Sequence, residues 1–283
     1  MAKKYILLIL LLLVLLVFSI LFYKSHDLKR TYETEVLNGI NRDRASENPI
    51  ISKNDIKHLP KPVQKYLTYV GVIGKEKVQN FKIIFEGEMK MDPKKGWVNV
   101  KTEQHNFVAN PTRLFYIEGN MAGIPIVGLD SYKNGKGNML IKLAGLFTVA
   151  NALGQEMDQG EAITLFNDMC LMAPSTLIDQ RIQWESVDDL TAKASFNANG
   201  CIVSAVLYFN AIGELTNFST DDRYMAIGNS YQKARWSTPV RDYKDYNGLK
   251  LPSYGEGVWH LPEGDYCYAK FNIKEVDYNC KSL

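Results

Sequence analysis

The chain has 283 residues, 33 of them basic and 31 acidic, for a formal charge of +2. Hydrophobic residues make up 46%, which excludes a disordered chain, and the small net charge excludes the broad basic field that nucleic acid requires. The 16 Tyr, 12 Phe and 4 Trp suit the faces of β-sheets, and would also suit the wall of a cavity for an apolar ligand.

From Tyr5 to Tyr23 the chain runs without a charged residue and is dominated by Leu, Ile, Val and Phe. At about 1.5 Å per residue such a helix is roughly 28 Å long, close to the hydrocarbon thickness of a bilayer. Tyr5 and Tyr23 mark its ends, where amphipathic rings prefer the interface. The competing reading, a cleaved signal peptide, is disfavoured: the run exceeds the usual ~7–15 apolar residues and no small-x-small cleavage site follows. Residues 1–30 are therefore expected to be a transmembrane anchor with its flanks. Lys3 and Lys4 precede the run and Lys24, Lys29 and Arg30 follow it, so the positive-inside rule does not orient it. The short N-terminal flank favours a cytoplasmic N-terminus. That predicts a single-pass protein of the cell membrane whose C-terminal domain is extracytoplasmic.

Residues 31–52 are polar and charged and read as a juxtamembrane linker with some helical character; residues 53–283 read as a single β-rich domain. At its start Leu59, Val63, Tyr66, Leu67 and Val70 recur at helical spacing, with Asn54 or Asp55 as the cap and Gly71 as the stop. The period then changes to two. In Phe81–Met91 the odd positions are mostly apolar and the even ones include Lys82, Glu86, Glu88 and Lys90, a strand with one wet face. A turn at Asp92–Gly96 leads into Trp97–Phe107, and Arg113–Glu118, Val127–Tyr132 and Asn138–Phe147 follow as strands. One helix interrupts them. Asp158 and Glu161 read as an N-terminal capping pair, Ala162, Leu165, Phe166, Met169 and Ala173 as the apolar face, and Pro174 as the stop. A further short helix is expected through Leu177 and Ile178 towards Trp184. Thr191–Phe196 and Cys201–Phe209 form a hairpin across Asn199-Gly200, and the chain closes with strands through Glu214–Ser219 and Tyr266–Val276. With no βαβ alternation, the class is α+β: an N-terminal transmembrane helix, then a large curved antiparallel sheet, half-barrel-like, with two or three helices on one side.

The chemistry-bearing residues are sparse. His26, His58, His105 and His260 share no helix face with a second ligand, so no metal site is predicted. Cys170, Cys201, Cys267 and Cys280 include no C-x-x-C pair, and disulfide-bonded and free buried states are equally compatible with their spacing. Gly135-Lys136-Gly137 lacks the following helix of a phosphate cradle and reads as a hairpin turn. Glu86 and Glu88 share one strand face and cannot oppose each other across a cleft. No residue is assigned a catalytic role and no cofactor is implied. Buried Arg–Asp pairs at sheet corners are the natural reading of the remaining charged groups. If the domain holds a ligand's polar end, Arg113, Asp130, Asp222 and Arg223 are the candidates.

Leu59-Pro60-Lys61-Pro62-Val63-Gln64-Lys65-Tyr66-Leu67 resembles the opening motif of a bacterial family of unknown function, commonly membrane-anchored. Gly128–Tyr132, Gln155–Glu161 and Asp222–Tyr224 resemble its later blocks, so the resemblance spans most of 55–279. It implies no activity. The expected architecture, without a motif match, is also similar to periplasmic lipoprotein carriers of the LolA type, which imply an open half-barrel with a helical lid that holds acyl chains. Three functions follow in order of support. The first is a membrane-tethered binding module for a lipid or other apolar ligand. The second is an envelope scaffold or assembly protein. The third is a hydrolase of envelope material using Glu103, His105, Asp130 or Asp222.

Overall fold

The structure, a computed structural model, describes residues 2–43, 48–90, 92–227 and 230–283. Helix α1 (Ala2–Ser25) contains one stretch, Lys4–Ser25, long and apolar enough to cross a membrane, and none of the described side chains in it is buried in the protein. Helix α2 (Asp27–Asp43) follows almost without a break. Much of the segment expected as a linker is thus ordered helix: Leu28, Tyr32, Val36 and Ile40 recur every fourth residue and are buried, while polar residues dominate the rest. Residues 44–47, in the middle of that expected linker, lie outside the described residues, as does Met91 at the end of the first expected strand.

Helix α3 (Lys61–Val70) buries the apolar stripe read from its sequence and ends where Gly71 adopts a left-handed conformation, φ 86°. Asn54 and Asp55 do not cap it. Pro60 holds the N-cap position, and Asp55 instead accepts hydrogen bonds from the Ser52 backbone N–H and hydroxyl, 2.7 Å each. The reason is steric: Pro60 and Pro62 permit a helix only from its first turn onward.

Thirteen strands form one antiparallel sheet. The first meander is β1 (Asn80–Met89), β2 (Val98–Phe107), β3 (Thr112–Met121), β4 (Ile124–Lys133), β5 (Lys136–Leu143) and β6 (Phe147–Ala152). The expected strand over Asn138–Phe147 is in fact β5 and the start of β6, broken at Ala144-Gly145, both at positive φ. The second meander, after helix α4 (Gln155–Met172) and a short 3-10 helix (Pro174–Ile178), is β7 (Ile182–Asp188), β8 (Thr191–Ala198), β9 (Cys201–Phe209) and β10 (Leu215–Thr220). A separate two-stranded hairpin, β11 (Tyr224–Ile227) and β12 (Ser230–Lys233), precedes β13 (Arg235–Tyr246), β14 (Leu249–Leu261) and β15 (Gly264–Tyr278). β15 pairs with β1 and joins the meanders, leaving β6 and β7 as free edges, so the sheet is not closed.

A flat sheet of this width would span roughly 60 Å, whereas α4 is only about 27 Å long. Yet α4 packs on β3, β4 and β5 from one arm and on β9, β10 and β14 from the other. The sheet must therefore curl around it. β-bulges at Ile84/Phe85, Ile141/Lys142 and Gly257/Val258 supply local bending. α4 is buried on every side over its middle, with the Phe166 ring stacked on Phe196 at 5.3 Å and edge-on to Phe218 at 5.6 Å. α3 and the 3-10 helix share this inner core, while α2 covers Leu114, Tyr116 and Leu129 on the sheet's outer face.

Candidate functional site

Strand alternation sets the site. Gln104 and Asn106 on β2, Arg113 and Phe115 on β3 and Asp130 on β4 all point inward, and α4 brings Glu161 and Asp168, seven residues apart on one helix face, against them. The Arg113 guanidinium, buried, donates through Nη1 to Asp130 at 2.7 Å and Glu161 at 3.0 Å, and through Nε to Asp168 at 2.9 Å. Asp168 also accepts from Gln104 at 2.7 Å and Asn106 at 3.0 Å. One cation thus faces three carboxylates. Burial, reinforced by Asp130 and opposed by Arg113, pushes Glu161 up to about 8. Burial also raises Asp168, against the pull of Arg113. For Arg113 itself burial disfavours the charge, but Asp130, Asp168 and Glu161 outweigh it and hold the guanidinium firmly ionised. The second oxygen of Asp130 is buried without a hydrogen-bond partner among the described residues.

This cluster floors a cavity of about 400 Å³ between α4, the inner sheet face and the β11–β12 hairpin. Its wall is mostly apolar: the rings of Phe85, Phe115 and Phe271 meet one another at 5.5–6.5 Å, and Met139, Ile141 and Leu171 continue the surface. Arg223, just ahead of the hairpin, lies over the Trp236 ring at 4.1 Å and near that of Trp259 at 5.6 Å. Its Nη1 is buried and makes no hydrogen bond among the described residues.

Of the residues singled out from sequence, Arg113, Asp130 and Arg223 converge on the cavity. Asp222 does not line it. Its carboxylate accepts from the Ser204 backbone N–H at 2.9 Å and lies 3.8 Å from Lys233, tying a loop to β9. Glu103 and His105 occupy the opposite face of β2. Glu103 pairs with Lys29 at 2.7 Å, and burial, then Lys82, lowers His105 to about 4, leaving it neutral and stacked on Phe107. The four residues considered for hydrolysis therefore do not share a site. Asp158 and Glu161 are not a capping pair either. α4 starts at Gln155 behind Gly154, Asp158 accepts from the Gly137 backbone N–H at 2.8 Å, and Glu161 points into the charged cluster. All four cysteines are unpaired, Cys170 buried and the others partly so. Glu86 and Glu88 pair at the surface with Lys274 and Lys270, and Asn134-Gly135 turns the chain between β4 and β5 at positive φ.

The molecule is thus an open antiparallel half-barrel wrapped around one helix, with a half-open, largely apolar cavity over a charged floor. The chain belongs to DUF6544, a family of unknown function whose profile matches residues 49–271, a stretch that includes the Leu59–Leu67 motif. No curated protein matches it. Among solved structures it is similar to a domain assigned to outer membrane lipoprotein sorting from Vibrio parahaemolyticus, with 10% identity, 70% of this chain and 85% of that one covered, and a TM-score of 0.41. A DUF1329 family protein from Desulfovibrio piger ATCC 29098 gives 10% identity, coverage of 78% and 93%, and a TM-score of 0.43. A LolA superfamily protein from Nitrosomonas europaea gives 8% identity, coverage of 77% and 91%, and a TM-score of 0.38.

Proposed function

We propose that the protein is a membrane-tethered binding module that holds a lipid or another apolar molecule between the sheet and α4. The observation that carries this reading is the cavity itself, about 400 Å³ and walled largely by aromatic and aliphatic side chains. Ligand sites typically measure ~300–1,000 Å³ and combine such walls with a few placed polar groups. Half-open to solvent and lined largely by apolar side chains, the cavity has the concave form such sites take. Arg113, Asp130 and Arg223 stand at its polar end, where they would meet a ligand's head, while the buried ion pairs also fasten α4 to β3. In the same reading α1 spans the membrane once and residues 53–283, with α2 docked on them, form the extracytoplasmic binding unit. Native mass spectrometry of the full chain released from lipid nanodiscs tests it. A single apolar molecule should persist after the lipids around α1 have been stripped. A bare chain mass under conditions that keep the fold intact would sink the proposal.

A further inference from the structure

We propose that the tips of the β3–β4 and β5–β6 hairpins rest on the bilayer surface beside the anchor, so that the domain sits against the membrane in a fixed orientation. This rests on the reading of α1 as a membrane span. The anchor does not end on a free leash. Gly145, at φ 67° in the β5–β6 turn, lies so close to the end of α1 that a Cβ there would fall 2.1 Å from the Ser25 carbonyl oxygen and 2.7 Å from its Cα. Only glycine fits that approach. Lys142 on β5 reaches Asp27 at 3.9 Å, and the Ala144 backbone N–H donates to the Pro125 carbonyl at 2.7 Å, which joins the two turns. Arg30 closes the junction from the other side, its guanidinium 3.6 Å from the centre of the Tyr23 ring and donating to the Tyr23 carbonyl at 2.6 Å.

What surrounds this junction is apolar and uncovered. Ile124 at one tip and Phe147 and Val149 after the other are 48%, 69% and 53% exposed. Large apolar side chains grouped at the point where a span leaves the hydrocarbon fit the headgroup and upper acyl region, which accepts them at no cost in exposed surface. The same hairpin also forms cavity wall. Ile141, four residues from Gly145, lines the cavity and lies about 13 Å from the turn along β5. Seating the turn on the bilayer therefore brings the cavity wall within one short strand of the lipid.

The test is photolabelling of the full chain in phosphatidylcholine vesicles that carry a phospholipid with a carbene precursor near the headgroup, followed by peptide mapping. Labels are expected on α1 and on residues 121–126 and 144–149. The exposed apolar residues Ile202 and Ile212, on the other arm of the sheet, should stay unlabelled. The double substitution Phe147→Glu and Val149→Glu, both at exposed positions, should cut labelling of the two turns several-fold without reducing that of α1. Labels confined to α1, or equal on Ile202 and the turns, would overturn the docking. Protein–protein crosslinks along β6 in place of lipid adducts would assign the patch to a second copy and overturn it as well. An unlabelled α1 would instead bring down the anchor on which the inference depends.

Discussion

Glu161 shows how one spacing can serve two structures. Asp158 and Glu161 stand three apart ahead of an apolar run, which is the pattern of a capping pair and equally that of two residues in the first turns of a helix already begun. The helix starts at Gln155, so Glu161 is carried inside, where only the fold supplies Arg113 and Asp130 as neighbours. Arg113, Asp130 and Arg223 were legible as charged groups beside predicted strands, where the sequence suggests buried Arg–Asp pairs at sheet corners or the polar anchor of a ligand. Asp168 was hidden because it sits among residues buried by a helix with no wet face. The raised Glu161 has a pH consequence. Below about 4.5 folded and unfolded chains both hold its proton; between 4.5 and about 8 the unfolded chain releases it and the folded chain does not. The unfolded state then binds fewer protons, so stability falls as pH rises through that window and levels off above it. Asp168, raised as well, adds to the slope from the lower end. Glu161→Gln stays neutral and keeps an acceptor for Arg113. Urea unfolding between pH 5 and 8 should show a clearly flatter decline for this variant than for the native chain, and equal slopes would refute the assignment.

At the scale of elements, the strands were readable wherever one face is wet, because alternation then writes itself into the sequence. β8 and β9 alternate almost without exception, and their expected bounds are nearly those observed. α2 was obscured by composition. Its stripe is one apolar residue per turn, enough to cover Leu114, Tyr116 and Leu129 but too thin to stand out against the surrounding charges. Gly39, in the middle of that helix, looks like a weakness, since glycine costs a helix interior about 1 kcal/mol relative to alanine. The packing reverses that judgement: a Cβ at Gly39 would lie 2.3 Å from the buried Phe107 ring. Overpacking of this kind costs about 1–3 kcal/mol, more than the propensity returns. Gly39→Ala should therefore destabilise the protein, measured by denaturant unfolding, and speed hydrogen exchange in β3 beneath α2. A stabilised variant would mean that α2 adjusts freely on the sheet.

For the whole molecule, the question is why a sheet of thirteen strands is left open around a cavity of about 400 Å³. Closing it would bury edges β6 and β7, but α4 already occupies the interior and its charged face needs the Arg113 cluster on β3 and β4. The fold settles at a half-barrel whose two arms grip the helix and whose remaining volume lies between Arg113, Arg223 and the β11–β12 hairpin. No sequence pattern encodes that volume, because it is set by how far the bulges bend the arms and by where α4 stops them. If the space exists to hold a ligand, filling it should remove binding and leave folding alone. Ile141 is only partly buried and Ala226 is exposed, and both line the cavity, so neither belongs to the close-packed interior. The double substitution Ile141→Trp and Ala226→Trp is expected to change unfolding stability by no more than about 1 kcal/mol, since both side chains border open space and neither is fully buried. The same variant should weaken binding of a co-purifying apolar molecule about tenfold, equivalent to roughly 1.4 kcal/mol of affinity, and its occupancy should fall accordingly. Native mass spectrometry and denaturant unfolding on the same full-chain preparation read both quantities. Occupancy that survives with stability unchanged would place the bound molecule outside the cavity, and lost stability with occupancy retained would show the space to be smaller and more rigid than its walls indicate.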